Sequence, residues 1–281
     1  MRSRSIVILA LAATPALAGA QDAVLLRVGG QQGQSLKFRS VIETFMQGGP
    51  MAAMGADPSL PMNRMTLYQT RTLTAITGDT LTFTEVIDSA ASEMPAMPQA
   101  AAFAGGMGAM MRGMTTTTKM DRRARIFDTE VSGGPMAAMG GGAGGAGGPP
   151  GGMGGGRRGG GMGGGGNNNR NMVFLLPEGR VRPGDTWADS MVVEGQQGQP
   201  NSVFRATFRL ERVESGVAVV SINGSMDMPM QGQVTTMQTT GEFRLDVAHG
   251  RLNAMNMTMS GTMQSQGGEM PMRMVMTMQA L

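Results

Sequence analysis

The chain has no cysteine and only one histidine, one tryptophan and one tyrosine in 281 residues. Without cysteine there is no disulfide, no thiolate nucleophile and no lipid-bearing cysteine behind a leader. A single histidine leaves Ser-His-Asp, Cys-His and ordinary zinc sites short of their parts. That residue, His249, precedes Gly250 in an Ala-His-Gly-Arg turn, where an exposed structural role fits better than catalysis. Glu85, Asp88, Asp185, Asp189 and Asp246 supply carboxylates, but no spacing singles out a pair for acid–base work, and Asp185 reads as a turn residue before Trp187. The chain is therefore expected to be no enzyme and to carry no cofactor. Lysine is confined to Lys37 and Lys119, so the sequence pI of about 10.1 reflects arginine excess. No arginine run is interleaved with aromatics, which argues against nucleic acid as a partner. No apolar run reaches the roughly 18 residues that a membrane span needs. Aromatics make up 4% of the chain, so Met, Val, Leu and Ile must build the core.

What is abundant is methionine, with 32 residues, and glycine, with 45. The first 20 residues stand apart from both. Arg2 and Arg4 form a basic start, residues 6–13 a short apolar core, and Ala18-Gly19-Ala20 a small-residue cleavage site. That is the pattern of a secretory signal cut before Gln21. Its loss would take the formal charge from +3 to +1 and leave 261 residues. The expectation is a soluble exported protein, periplasmic or extracellular.

The mature chain alternates. Residues 23–28 read as a short strand closed by Gly29-Gly30. Along 34–46, Leu36, Phe38, Ile42 and Met46 share one phase while Lys37, Arg39 and Glu43 share the other. Such alternation marks a strand with one buried face. Residues 62–76 and a strand marked by Leu81, Phe83 and Ile87 flank a Thr-Gly-Asp turn. A short helix is expected at 99–103, stopped by Gly105-Gly106, and a hairpin around Asp121-Arg122-Arg123. Later strands start at Trp187, run through Phe204, Ala206, Phe208 and Leu210, and return from Val217. Roughly 11–13 strands joined by hairpins predict an all-β fold with a minor helix. The architecture expected is an antiparallel meander forming a curved sheet or half-barrel.

The organisation expected is a signal at 1–20, a first β half at 21–132, a long Gly-rich disordered loop at 133–171 and a second β half at 172–281. The Gly tract has almost nothing to bury, so ordering it would cost roughly 1–2 kcal/mol per residue without return. It lacks the strand–GxxxxGK[ST]–helix context of a phosphate cradle. Whether it links two domains or interrupts one sheet stays open. Gly-Gly-Pro-Met-Ala-Ala-Met-Gly occurs identically at 48–55 and 133–140, which suggests two equivalent loops.

The methionines are patterned as well. In 270–278 they fall on every second residue, so one face of that strand is all thioether. Met226, Met228 and Met255, Met257, Met259 repeat the device. With Met272, Met274 and Met276, these are the candidate ligand-binding residues for a lipid or other apolar small molecule. Unbranched, polarizable side chains adapt to such ligands, although the same residues also fill ordinary cores. Thioethers also suit Cu(I) and Ag(I). The Met-x-x-Met pairs Met51/Met54 and Met136/Met139 are the alternative metal candidates. A third alternative is a structural or protein-interaction module of the envelope.

Three stretches carry a family resemblance: Gly33-Gln34 opening a long strand; Leu176-Pro177-Glu178 followed by 181–187 (VRPGDTW); and 241–246 (GEFRLD) followed by Gly250-Arg251-Leu252. Together they resemble an uncharacterised family of exported bacterial β-rich proteins, a domain of unknown function. At fold level that family is similar to the half-barrels of lipoprotein carriers, which implies a concave apolar face that holds acyl chains.

Overall fold

The computed structural model describes residues 22–48, 57–134, 174–193, 201–230, 233–265 and 268–281. The expected signal at 1–20, almost all of the Gly-rich tract and the pairs Met51/Met54 and Met136/Met139 lie outside these residues.

Five strands form the first half: β1 (Ser35–Met46), β2 (Asn63–Thr77), β3 (Thr80–Glu93), β4 (Thr115–Asp121) and β5 (Ile126–Ser132). Six form the second: β6 (Thr186–Val193), β7 (Ser202–Glu214), β8 (Val217–Met230), β9 (Gln233–Asp246), β10 (Arg251–Ser265) and β11 (Gly268–Ala280). All belong to one antiparallel sheet in the order β5-β4-β3-β2-β1-β11-β10-β9-β8-β7-β6. The Met-rich last strand is thus central, and its ladder with β1, from Phe38↔Ala280 to Met46↔Met272, joins the two halves.

The order is a cyclic meander opened at one place, between β5 and β6. Eleven strands at a spacing of about 4.8 Å would span roughly 48 Å if flat. Yet Arg125, at the start of β5, places Nη2 2.9 Å from Asp189 Oδ2 on β6. The sheet therefore curls until its edges nearly meet, without closing into a barrel. An odd number of strands in an all-antiparallel sheet makes the two edge strands run parallel. A parallel pair cannot be joined by a tight turn. Ahead of β6, residues 174–181 form an extended return segment.

One face of the sheet is the core. Phe204, Phe208, Leu210, Val220, Phe243 and Leu245 are all at most 2% exposed. Two extended segments fill the concavity against them. From the return come Phe174, Leu175 and Leu176; from the segment before β1 come Leu26 and Val28. The strand expected at 23–28 does not form; it makes one bridge, Val24↔Val181. Its other backbone groups bond turns at the sheet's end, Val28 N to Arg122 O and Gly29 N to Gly250 O. An alternating pattern marks an extended chain with one buried side, and here the interior, not a ladder, supplies the burial. Trp187 stacks on Phe208 and donates Nε1–H to Leu175 O at 2.9 Å, which ties the return segment to β6.

The expected helix also differs. Helix α1 (Ala101–Met111) runs through Gly105-Gly106 instead of stopping there. It packs on β3 so closely that a β-carbon at Gly108 would lie 2.8 Å from Ala90 O. The contact at Gly108 thus holds the helix to β3 in spite of the propensity cost of its glycines. Met111 and Met114 bury with Met65, Leu67 and Ile87 beneath the helix.

Candidate functional site

Cross-strand register assigns the methionines to a common face. Across β10 and β11, Met255↔Met278, Met257↔Met276, Met259↔Met274 and Met263↔Met270 stand directly opposite one another. Met46↔Met272 continues the pattern across β1 and β11, and Met226↔Met237 across β8 and β9. Directly opposed residues share a face, with β-carbons about 4.5–5.5 Å apart. Met228 holds the register position opposite Thr235, in phase with Met226. All eight sequence-predicted ligand residues therefore occupy one phase of the sheet, together with Met46, Met237, Met263 and Met278.

Their environments differ along the strands. Met255, Met257, Met276 and Met278 are buried in the main core with Leu26, Leu175 and Leu176. Toward the other end the cover is uneven: Met46, Met263, Met272 and Met274 are half-buried, whereas Met226, Met237, Met259 and Met270 stay buried. One end of the concavity is thus sealed by the chain's own segments, and the other presents thioethers. Two buried features lie at this end. Thr239, opposite Met259, is fully buried and its Oγ1 has no hydrogen-bond partner among the described residues. Gly261, opposite Met272, interrupts the stripe, and a β-carbon there would lie 2.5 Å from Met237 Sδ. The missing side chain gives the Met237 sulfur its place over β10. A glycine inside a strand often marks such a close approach.

The seam between β5 and β6 is held by charge. Arg123 donates Nη2–H to Asp189 Oδ2 at 3.1 Å and Nε–H to Leu176 O at 3.0 Å, and also pairs with Glu178 at 2.9 Å. Arg125 Nη2 reaches both Asp189 oxygens. Burial works against the Asp189 charge, but the hydrogen bonds from Arg125 and from Ser190 N–H, with both guanidiniums nearby, hold its carboxyl below the ordinary value. Arg27 adds Nη donors to the carbonyls of Leu26, Pro177 and Glu178. These three arginines clamp the return segment between the two edges.

His249, Asp246 and Asp185 stand at turns. His249 Nδ1 lies 2.8 Å from Asp246 Oδ2 in an exposed turn. Burial opposes the Asp246 charge, and the His249 and Ala248 contacts outweigh it, holding the carboxyl low. Asp185 accepts from Arg182 N–H at 2.8 Å, the turn role its position suggests. Among the described residues no group of three or more His, Asp or Glu side chains could hold a metal ion. No helix among them is long and apolar enough to cross a membrane.

Sequence reasoning passed over a cavity at the sealed end. It measures about 30 Å³ and is lined by Gln34, Leu36, Phe38, Arg71, Phe83 and Arg251, among others. A signal was present, because Arg71 lies in the apolar phase of β2 between Leu67 and Leu73. Neither protein-family models nor curated proteins give any match to this chain.

Proposed function

We propose that this protein is an exported binding protein, not a catalyst, that holds a flexible apolar ligand such as an acyl chain on the open, Met-lined half of its concave face. The observation that carries this reading is the placement of half-buried Met46, Met263, Met272 and Met274 in one phase, above an end already filled by Leu26, Leu175 and Leu176. Unbranched thioethers present an adaptable apolar surface. Helix α1, standing over β2 and β3, borders the same half. The resemblance to lipoprotein-carrier half-barrels points the same way.

Native mass spectrometry of the exported protein, followed by uptake of a fluorescent acyl probe by stripped protein, tests the proposal. Bound lipid and saturable uptake are expected, with uptake weakened at least tenfold in M272D and M274D. Apo protein in repeated preparations, with no probe uptake, would sink it.

A second reading rests on Met237. Its sulfur lies over Gly261, which stands opposite Met272, and Met272 stands opposite Met46, so the three methionines hold neighbouring positions on one face. Three thioethers suit Cu(I) or Ag(I). Competition titration is expected to show binding tighter than roughly micromolar that M272L and M237L abolish. Binding unaffected by both substitutions would remove this reading, and would direct attention to Met51, Met54, Met136 and Met139.

A further inference from the structure

The curled sheet stops short at the seam between β5 and β6. Among the described residues each of these strands has a ladder on one side only, with β4 and β7 respectively. An unpaired edge is a template for a further strand, and proteins commonly blunt it. These two edges instead carry Phe127 at 60% exposure and Val192 at 58%. Apart from Leu281, they are the most exposed large apolar side chains among the described residues. On the inward phase, Ile126 and Met191 pack on the main core and Val131 on the smaller one beneath helix α1, and all three are only partly buried. Both cores thus thin out at the same gap.

Strand direction says what fits there. β5 and β6 run the same way, so one strand antiparallel to both would continue each ladder in the sheet's own pattern. Eleven strands would become twelve, an even number, which an all-antiparallel sheet needs in order to close. Inward side chains of such a strand would meet Val131 and Met191, which favours apolar residues. Outward ones would meet Glu130, which is exposed and stands opposite Thr117, with no cation across that ladder. Asp128, the other outward acid of β5, is already matched by Lys119 at 3.0 Å. A second copy offering its own β5 would set carboxylate against carboxylate, which cross-strand pairing disfavours. A basic segment would be attracted instead.

We propose that the seam is a docking slot for one extended segment of another polypeptide, antiparallel to β5 and β6, with apolar residues at alternate positions and lysine or arginine between them. Backbone hydrogen bonds to the two edges supply affinity, and the alternating side chains supply selectivity. The Asp189 clamp, where Arg123 and Arg125 already join the edges, marks one end of the slot. The slot does not depend on what the Met-lined half binds.

Hydrogen exchange of the full chain, read by NMR with and without synthetic peptides of about nine residues, tests the proposal. One peptide alternates valine with lysine, a second valine with glutamate, and a third repeats the first around a central proline. The edge-facing amides of β5 and β6 are expected to exchange freely in the chain alone and to slow by roughly tenfold or more with the lysine peptide at saturation. The glutamate peptide should bind roughly tenfold more weakly, and the proline peptide, which loses a ladder donor, should not protect the edges. Glu130→Lys should reverse the preference between the two charged peptides and leave thermal unfolding of the free chain unchanged. Edge amides already protected in the chain alone would show the slot filled from within or by a second copy, and would overturn the proposal. So would the absence of slowing by the lysine peptide, or equal slowing by both charged peptides.

Discussion

Replacing Asp189 with asparagine tests whether charge holds the seam of the curled sheet. The substitution keeps size and shape but removes the negative charge that faces Arg123 and Arg125. The Asp189 side chain is 12% exposed and that of Arg123 18%, whereas that of Arg125 is 46% exposed. Breaking a fully buried pair costs about 3–5 kcal/mol and an exposed one about 0–1. Arg123 keeps Leu176 O and Glu178 as partners, which moderates the loss. The expected cost of D189N is therefore about 2 kcal/mol at neutral pH, between those two limits. Its pH dependence has a definite sign. The folded-state carboxyl lies below its ordinary value of 3.8, so its stabilisation is present above that value and is lost as pH falls through the folded-state value. Urea unfolding of wild type and D189N from about pH 7 to about pH 2 should show the difference shrinking only in acid. A difference under about 0.5 kcal/mol at neutral pH would show that the clamp is an exposed pair in effect. A difference that persists unchanged in acid would show that shape, not charge, matters.

Other substitutions probe separate parts of the fold. Leu176, fully buried in the return segment, should cost about 2–5 kcal/mol when changed to alanine, read by chemical denaturation; a loss below about 1 would mean that this segment is not core. Gly108→Ala forces a β-carbon toward Ala90 O, so helix α1 must lift; a loss of about 1–3 kcal/mol is expected, whereas a gain would show the helix free of β3. Met278→Leu conserves volume in the sealed core and should cost less than about 1.5 kcal/mol, leaving acyl-probe uptake unchanged.

Alternation carries much of this architecture into plain sight, and its limits are physical. A period of two says which residues share a face, so the phase of Met255, Met257, Met259, Met272, Met274 and Met276 was legible from the chain alone. It does not say which strand lies alongside. The β1–β11 ladder, which puts Met46 opposite Met272, depends on a contact between distant parts of the sequence. Nor does alternation tell a ladder from an extended segment packed inside, which is why residues 23–28 look like a strand and lie as a filling. Helix α1 continues past Gly105 and Gly106, which meet open space, and Gly108 beyond them packs on β3, a contact that no local pattern contains. Arg71 sits in the apolar phase of β2, but only the fold sets it over the Phe83 ring. Asp189 was one carboxylate among five, and its place at the seam follows from the curl that brings opposite edges together.

The single non-local ladder has a kinetic consequence. Of the ten ladders in the sheet, every one except β1–β11 joins strands consecutive in the chain. Each half can therefore assemble from neighbours in the chain, through short turns at β2–β3 and β4–β5 and longer connections at β1–β2 and β3–β4 in the first half. The slow event should be the docking of β1 on β11, which completes the thioether face in the same step. Substitutions at Ile42 or Met276, which meet across that ladder, are placed to slow folding, whereas those within either half would chiefly alter how fast the finished sheet comes apart.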